Sequence, residues 1–287
     1  MKLDETKREL KRINGEYGKD IIVHQSDVPY VFDKSNKCGY KKEGIEYNEG
    51  KDKYDIWVPD ESLLNGDVVS NKRPVLYLFH GLGYYSEWLQ EDRGRLEWIM
   101  GYMLKHNLTH EMVIIMPQVF VDNKRAQDKK EDDFHFFNTK FRILADHVKK
   151  VYANIVSTRK EDTAIAGISI GGTTALYNGC LFKESFSVVA GISPSYHLIK
   201  DKARCVPNGW IEKDNFILDT KYAFLGNGTK EEKTCTHPRY YCNILRTKSV
   251  YCDFATLDDE DHDWTCFRKL FYVFMLEWHK SHNKTTV

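Results

Sequence analysis

The run Thr163-Ala164-Ile165-Ala166-Gly167-Ile168-Ser169-Ile170-Gly171-Gly172-Thr173-Thr174-Ala175-Leu176 sets a serine between two glycines. A hydroxyl is a poor nucleophile until a neighbouring base takes its proton, and it must also stand clear of the backbone to reach a carbonyl. A sharp strand-to-helix turn meets the second need, and glycine tolerates the crowding around it. Gly167 and Gly171 flank Ser169 at the spacing such a turn requires, and Gly172 lets the following helix pack close. Ser169 is therefore the candidate nucleophile for acyl transfer. The bare pattern arises by chance in about one chain in ten of this length, so it counts only with partners elsewhere in the right order.

Two further polar groups stand just past apolar, strand-like runs. Tyr222-Ala223-Phe224-Leu225-Gly226 opens into Asn227-Gly228-Thr229-Lys230-Glu231-Glu232, and the run from Ser249 to Leu257 opens into Asp258-Asp259-Glu260-Asp261-His262-Asp263-Trp264. An acid after the first and a base after the second give the order serine, acid, histidine. Glu231 is the first choice of acid, Glu232 the second and Asp219 the third; a solvated charge run with Lys230 and Lys233 is the competing reading. Among eleven histidines, His262 alone joins that loop position to an acid upstream.

The segment Arg73-Pro74-Val75-Leu76-Tyr77-Leu78-Phe79 ends in His80-Gly81-Leu82-Gly83. In hydrolases of this architecture the loop here supplies one backbone N–H to a developing oxyanion, and the residue after the nucleophile supplies the other. Leu82 and Ile170 are the candidates, against an ordinary strand-ending turn at His80-Gly81. Tyr84, Tyr85, Trp88 and Trp264 are candidates to hold an acyl or aromatic group, or packing residues; Phe134-His135-Phe136-Phe137 is either a rim or a helix anchor.

The elements that must position these groups alternate along the chain. Ile21–His24 and Tyr54–Pro59 read as early strands on an antiparallel edge, separated by a turn region rich in Lys, Gly and Asn. Further strands are expected at Arg73–Phe79, at Met112–Pro117, in the run from Thr163 that stops at Gly167, within the strand and turn Phe186–Pro194, and at Tyr222–Gly226 and Ser249–Leu257. Helical spacing covers Arg93–His106, residues 138–153, the stretch after Gly171, Tyr240–Arg246 and the apolar face Phe267, Leu270, Phe271, Phe274 and Trp278. The alternation predicts an α/β fold, with a mostly parallel sheet of about eight strands and helices on both faces. One domain is expected over residues 1–287, with 1–19 a surface helix or tail and 195–219 an insertion above the sheet.

Basic and acidic residues number 42 each, so no nucleic-acid or membrane-surface footprint is expected, and a small or neutral partner is the better default. No apolar run approaches a membrane span, and the first ten residues lack the apolar segment of a signal peptide. The chain as it stands reads as cytoplasmic, or as secreted if a leader precedes it. Seven cysteines without C-x-x-C pairing fit reduced thiols. Cys235, His237 and Cys242 are a metal-ligating alternative without the paired-ligand knuckle of zinc sites, and no metal is expected.

The chain resembles the esterase D-like branch of the α/β-hydrolases, which includes feruloyl and acetyl-xylan esterases of carbohydrate-esterase family one. The resemblance runs from about Tyr54 to Trp278 and rests on Pro74–Gly83 with Trp88 downstream, Ala166–Gly172, Gly228–Glu231 and His262–Trp264. It implies the α/β-hydrolase fold, Ser169 as nucleophile, His262 as base, the amides of Leu82 and Ile170 as oxyanion hole, an acid near Glu231, and no cofactor. Two departures are visible: a glutamate where members commonly carry aspartate, and Glu260-Asp261 where relatives often have glycines. The activity implied is hydrolysis of a small-molecule or oligosaccharide ester through an acyl-enzyme, with feruloyl or acetyl esters of plant carbohydrate first; a homodimer is left open. Nearest rivals are a short-chain, tributyrin-type carboxylesterase and an S-formylglutathione hydrolase, whose relatives usually show Asp-His-Ser where this chain has His262-Asp263-Trp264. From another class, a non-catalytic binding protein could keep the same fold.

Overall fold

The computed structural model describes residues 15–28, 33–64, 71–119, 131–194, 218–233 and 238–284. Nine strands among these residues join in one sheet: β1 (Asp20–Val23), β2 (Tyr40–Tyr47), β3 (Asp52–Val58), β4 (Val75–Phe79), β5 (Val113–Pro117), β6 (Thr163–Ile168), β7 (Val188–Ile192), β8 (Tyr222–Gly228) and β9 (Cys252–Leu257). Their order across the sheet is β1-β9-β8-β7-β6-β4-β5-β3-β2. Neighbours from β1 to β5 are parallel, and β3 and β2 close the far edge antiparallel.

Helices α1 (Leu96–Lys105), α2 (Glu131–Val151), α3 (Ile170–Leu181), α4 (Pro238–Thr247) and α5 (Trp264–Lys284) cover both faces. On one face Tyr77, Phe79 and Ile165 pack with Phe141, Leu144 and Val148 of α2, Leu176 of α3 and Leu245 of α4. On the other, Leu76, Leu78 and Ala166 pack with Ile99 and Met103 of α1 and with Leu270, Phe271 and Phe274 of α5. Successive residues of a strand point to opposite faces, so a sheet covered twice needs apolar residues at consecutive positions. Strands β4, β5 and β7 are accordingly buried throughout. The expected α/β architecture is thus present, with nine strands rather than about eight.

Two strand expectations are corrected. The segment at Ile21 lies on the opposite edge from Tyr54: β1 runs parallel to β9, with Asp20 opposite Phe254. The buried guanidinium of Arg246 holds it there, donating to the carbonyls of Lys19 and Cys252 and to Asp20 Oδ1. A four-residue strand carries no sign of so distant a partner. The segment read as a turn region contains β2, an exposed edge strand whose register shifts between Lys42 and Ile45. Its Lys and Glu residues face water, so apolar alternation is missing.

Residues 1–14 and 195–217 and the side chains of Phe134-His135-Phe136-Phe137 lie outside the described residues, as do the expectations that fall on them. No described helix is long and apolar enough to cross a membrane.

The irregularity in β2 is held by Asp55 of β3, whose Oδ1 accepts the Gly44 N–H at 2.7 Å while Oδ2 is buried without a hydrogen-bond partner. Burial pushes the Asp55 carboxyl up to about 6; the Gly44 amide opposes this, Glu43 adds to it and Lys41 opposes it. The folded state therefore binds more protons than the unfolded chain between the ordinary aspartate value, about 4, and about 6. The stabilisation is complete below about pH 4 and is lost as pH rises through about 6. In denaturant unfolding at about pH 4 and about pH 8, Asp55→Asn is expected to gain up to about 3 kcal/mol on wild type at the higher pH relative to the lower.

Candidate active site

Strand β6 ends at Ile168 and α3 begins at Ile170, leaving Ser169 alone at the corner with φ 52° and ψ −123°. Its N–H is spent on the Ile192 carbonyl at 2.9 Å, which ties the corner to β7. The glycines around it are explained by space. A Cβ on Gly167 would lie 2.3 Å from the Gly171 carbonyl oxygen, and one on Gly171 would lie 2.2 Å from the His80 carbonyl oxygen. The loop after β4 passes directly against the serine, since a Cβ on Gly81 would sit 3.3 Å from that of Ser169. His80 is buried, and its Nε2 accepts the Val119 N–H at 3.0 Å, joining the loops after β4 and β5. Ile170 is the first residue of α3, so its N–H is among the donors a helix start leaves without an intrahelical partner. Leu82 is exposed in the adjoining loop.

Strand β8 runs into a tight 3₁₀ turn, Thr229–Lys233, that carries Glu231 inward to complete burial. Beyond β9, His262 stands at the entrance to α5. Asp263 caps that helix, its Oδ1 accepting the N–H groups of Thr265 at 2.7 Å and Cys266 at 3.1 Å. The histidine loop is joined to the acid's turn: Lys230 N–H donates to the Glu260 carbonyl at 3.0 Å, and Asp259 N–H to Thr229 Oγ1 at 2.9 Å. Glu260 turns aside to pair with Lys269. Asp261 accepts the His262 N–H at 2.8 Å.

These loops bring three side chains into one line. His262 Nε2 is 2.9 Å from Ser169 Oγ, and its Nδ1 is 2.7 Å from Glu231 Oε2. The other carboxylate oxygen, Oε1, accepts Ser193 Oγ at 2.7 Å, Gly228 N–H at 2.8 Å and Cys266 Sγ at 3.2 Å. Burial would raise the Glu231 carboxyl, but the His262 bond, the Gly228 amide, the imidazole's charge and the Ser193 bond together hold it below the usual carboxylate range. An ionised Glu231 selects the tautomer with a proton on Nδ1 and leaves the Nε2 lone pair facing the serine. That is the geometry general-base activation of a hydroxyl requires.

Other expected residues fall differently. Asp219 is exposed before β8, at the far end of that strand from Glu231, and pairs with Lys160 at 2.7 Å. It has no place in the site. The side chain of Glu232 lies outside the described residues. Trp88 is corrected from substrate contact to core: it is 0% exposed, donates to the Phe79 carbonyl at 3.3 Å, and meets Trp264 edge-on at 5.2 Å. Tyr84 is 54% exposed beside the loop after β4, and Trp264 is half-buried. Sequence reading missed Ser193 and Cys266; the only local trace of Cys266 is its place one helical turn past His262. Among the described residues no group of three or more His, Cys, Asp or Glu could hold a metal ion, and of the metal-ligating alternative only Cys242 is described, buried with its thiol on the Cys252 carbonyl.

A mostly parallel sheet with Ser169, Glu231 and His262 gathered at the carboxyl ends of its strands defines an α/β-hydrolase fold. The chain belongs to the family described as "Putative esterase", whose family model matches residues 52–272. A curated relative, an acetyl esterase of Caldicellulosiruptor saccharolyticus, is 25% identical over 153 residues, 53% of this chain and 52% of that protein. The match therefore spans about half that relative's length. A ferulic acid esterase of the anaerobic fungus Anaeromyces mucronatus superposes with a TM-score of 0.68 at 21% identity, covering 85% of this chain and 91% of that one. An S-formylglutathione hydrolase of Staphylococcus aureus superposes with a TM-score of 0.57 at 15% identity, covering 84% and 97%.

Two substitutions test this construction. Gly171→Ala drives a methyl group into the His80 carbonyl and is expected to abolish soluble expression of folded protein. Asp263→Ala removes the α5 cap and is expected to cost about 0.5–2 kcal/mol in urea unfolding.

Proposed function

We propose that the protein is a serine esterase that hydrolyses carboxylic esters through an acyl-enzyme. The observation carrying this reading is the unbroken path from Ser169 Oγ through the His262 imidazole to Glu231, with steps of 2.9 and 2.7 Å. As Ser169 Oγ attacks the ester carbonyl carbon, its proton passes to Nε2, and Glu231 supports the imidazolium that forms. The carbonyl oxygen becomes an oxyanion, for which the amides of Leu82 and Ile170 are the proposed donors. Collapse of the tetrahedral intermediate breaks the bond to the alcohol, which leaves with the proton from Nε2. Water then gives a proton to Nε2, attacks the acyl-serine and releases the acid, and the serine recovers its proton.

For the substrate, the proposal is a feruloyl or acetyl ester of plant carbohydrate. It is supported by the acetyl esterase relative and by the fungal neighbour, whose structure with ferulic acid superposes with a TM-score of 0.67. Exposed Leu82 and Tyr84 follow Gly81, which passes against the serine, and half-buried Trp264 follows His262 by two residues; these are the proposed apolar contacts for an aromatic or short acyl group. The S-formylglutathione hydrolase neighbour keeps a thioester substrate as the second reading.

A panel of methyl ferulate, acetylated xylan, p-nitrophenyl acetate, p-nitrophenyl butyrate and S-formylglutathione separates these readings. Wild type is expected to favour the ferulate or the acetylated xylan, with Ser169→Ala slower by at least about a thousandfold. Preference for S-formylglutathione moves the assignment to the second reading. Folded wild type that turns over none of them, or Ser169→Ala that keeps its rate, contradicts the proposal.

A further inference from the structure

Glu231 has one more methylene than an aspartate would, and that extra rotatable bond must be frozen if the carboxylate is to meet His262 reproducibly. Its burial is complete, so water cannot do the freezing. The protein's own donors converge instead on Oε1, the oxygen turned away from His262. Ser193 Oγ lies 2.7 Å from it, the Gly228 N–H 2.8 Å and Cys266 Sγ 3.2 Å. They come from the end of β7, the end of β8 and the first turn of α5, so they fix the carboxylate from separate directions.

Ser193 is fully buried at φ 46°, a backbone region a non-glycine residue enters at a cost, and its N–H is tied to the Gly226 carbonyl at 2.7 Å. The strained corner aims its hydroxyl at Glu231. Cys266 is buried too, and burial first, then the charge of Glu231 and the bond to it, push its thiol far up. It therefore remains an S–H donor, rather than a thiolate that would repel the carboxylate.

We propose that Ser193 and Cys266 are positioning residues for Glu231: their side chains saturate Oε1 so that Oε2 alone faces His262 Nδ1. This rests on the esterase reading above. Each bond to an anion in a dry site strengthens the carboxylate's hold on its orientation and on its charge. Without them the Glu231–His262 pair takes up a proton more readily, and titrates as a unit.

The test uses Ser193→Gly, Cys266→Ala, their double variant and Cys266→Ser, with p-nitrophenyl acetate across a pH series. Ser193→Gly removes the hydroxyl while suiting the positive φ, so it does not add backbone strain. Each single truncation is expected to lower kcat by about tenfold with KM little changed, and the double variant by more. The acid limb of kcat/KM is expected to move to higher pH, and Cys266→Ser, which keeps a donor, to recover most of the loss. A double variant that is folded by circular dichroism yet keeps the wild-type kcat and acid limb overturns the proposal. So does a Cys266→Ser variant as impaired as Cys266→Ala. Wild type without Ser169-dependent hydrolysis is a different outcome, because it removes the esterase reading on which the proposal stands.

Discussion

A carboxylate sealed from water keeps its charge only where donors meet it, and Glu231 is met by His262, Ser193, Gly228 and Cys266. Removing any side of that arrangement leaves the buried charge less fully compensated, so the acid, the base and the loops carrying them form one structural unit. The sheet makes the unit possible. Strands β6, β7, β8 and β9 are consecutive neighbours and all parallel, so their carboxyl ends deliver Ser169, Ser193, Glu231 and the His262 loop to one edge. Open α/β sheets place their ligand sites at that end for this reason.

Holding the serine in place has a conformational cost. Ser169 and Ser193 both take positive φ, at about 1–3 kcal/mol each for residues in sparsely populated regions. Ile168, Ile170 and Ile192 lie beside them and are nearly or fully buried, each contributing about 1.5–3 kcal/mol. Burial on this scale offsets the strain, and it explains why the elbow sits in the centre of the sheet and not at an edge. The same centre is where the glycines are sterically required, because the backbones of β4, β6 and α3 approach too closely for side chains.

Much of this was legible because its causes are local. Gly167, Ser169 and Gly171 compress strand, corner and helix into a few residues, and apolar runs ahead of Glu231 and His262 mark where parallel strands end. The fold class follows from the same alternation. Other features depend on partners far along the chain. The place of β1 is decided by Arg246 and β9, and β2 pairs through its backbone while its charges face water. Trp88 follows the glycine loop in sequence as a substrate-facing aromatic would, yet its ring is covered by Trp264 and Phe271, which lie more than 170 residues later. Between Glu231 and Glu232 the charge run itself offers no distinction. The tight turn Thr229–Lys233, which turns residue 231 inward, has too few residues for periodicity to reveal.

Mass-spectrometric mapping of fluorophosphonate labelling tests the central claim most directly, because the probe reacts with a serine only where a base has made it nucleophilic. The account predicts one adduct, on Ser169, formed readily by wild type and about 10³- to 10⁴-fold more slowly by folded Glu231→Gln, which cannot stabilise the required tautomer as an anion does. An adduct on another serine, or equal labelling of Ser169 in wild type and Glu231→Gln, would contradict it.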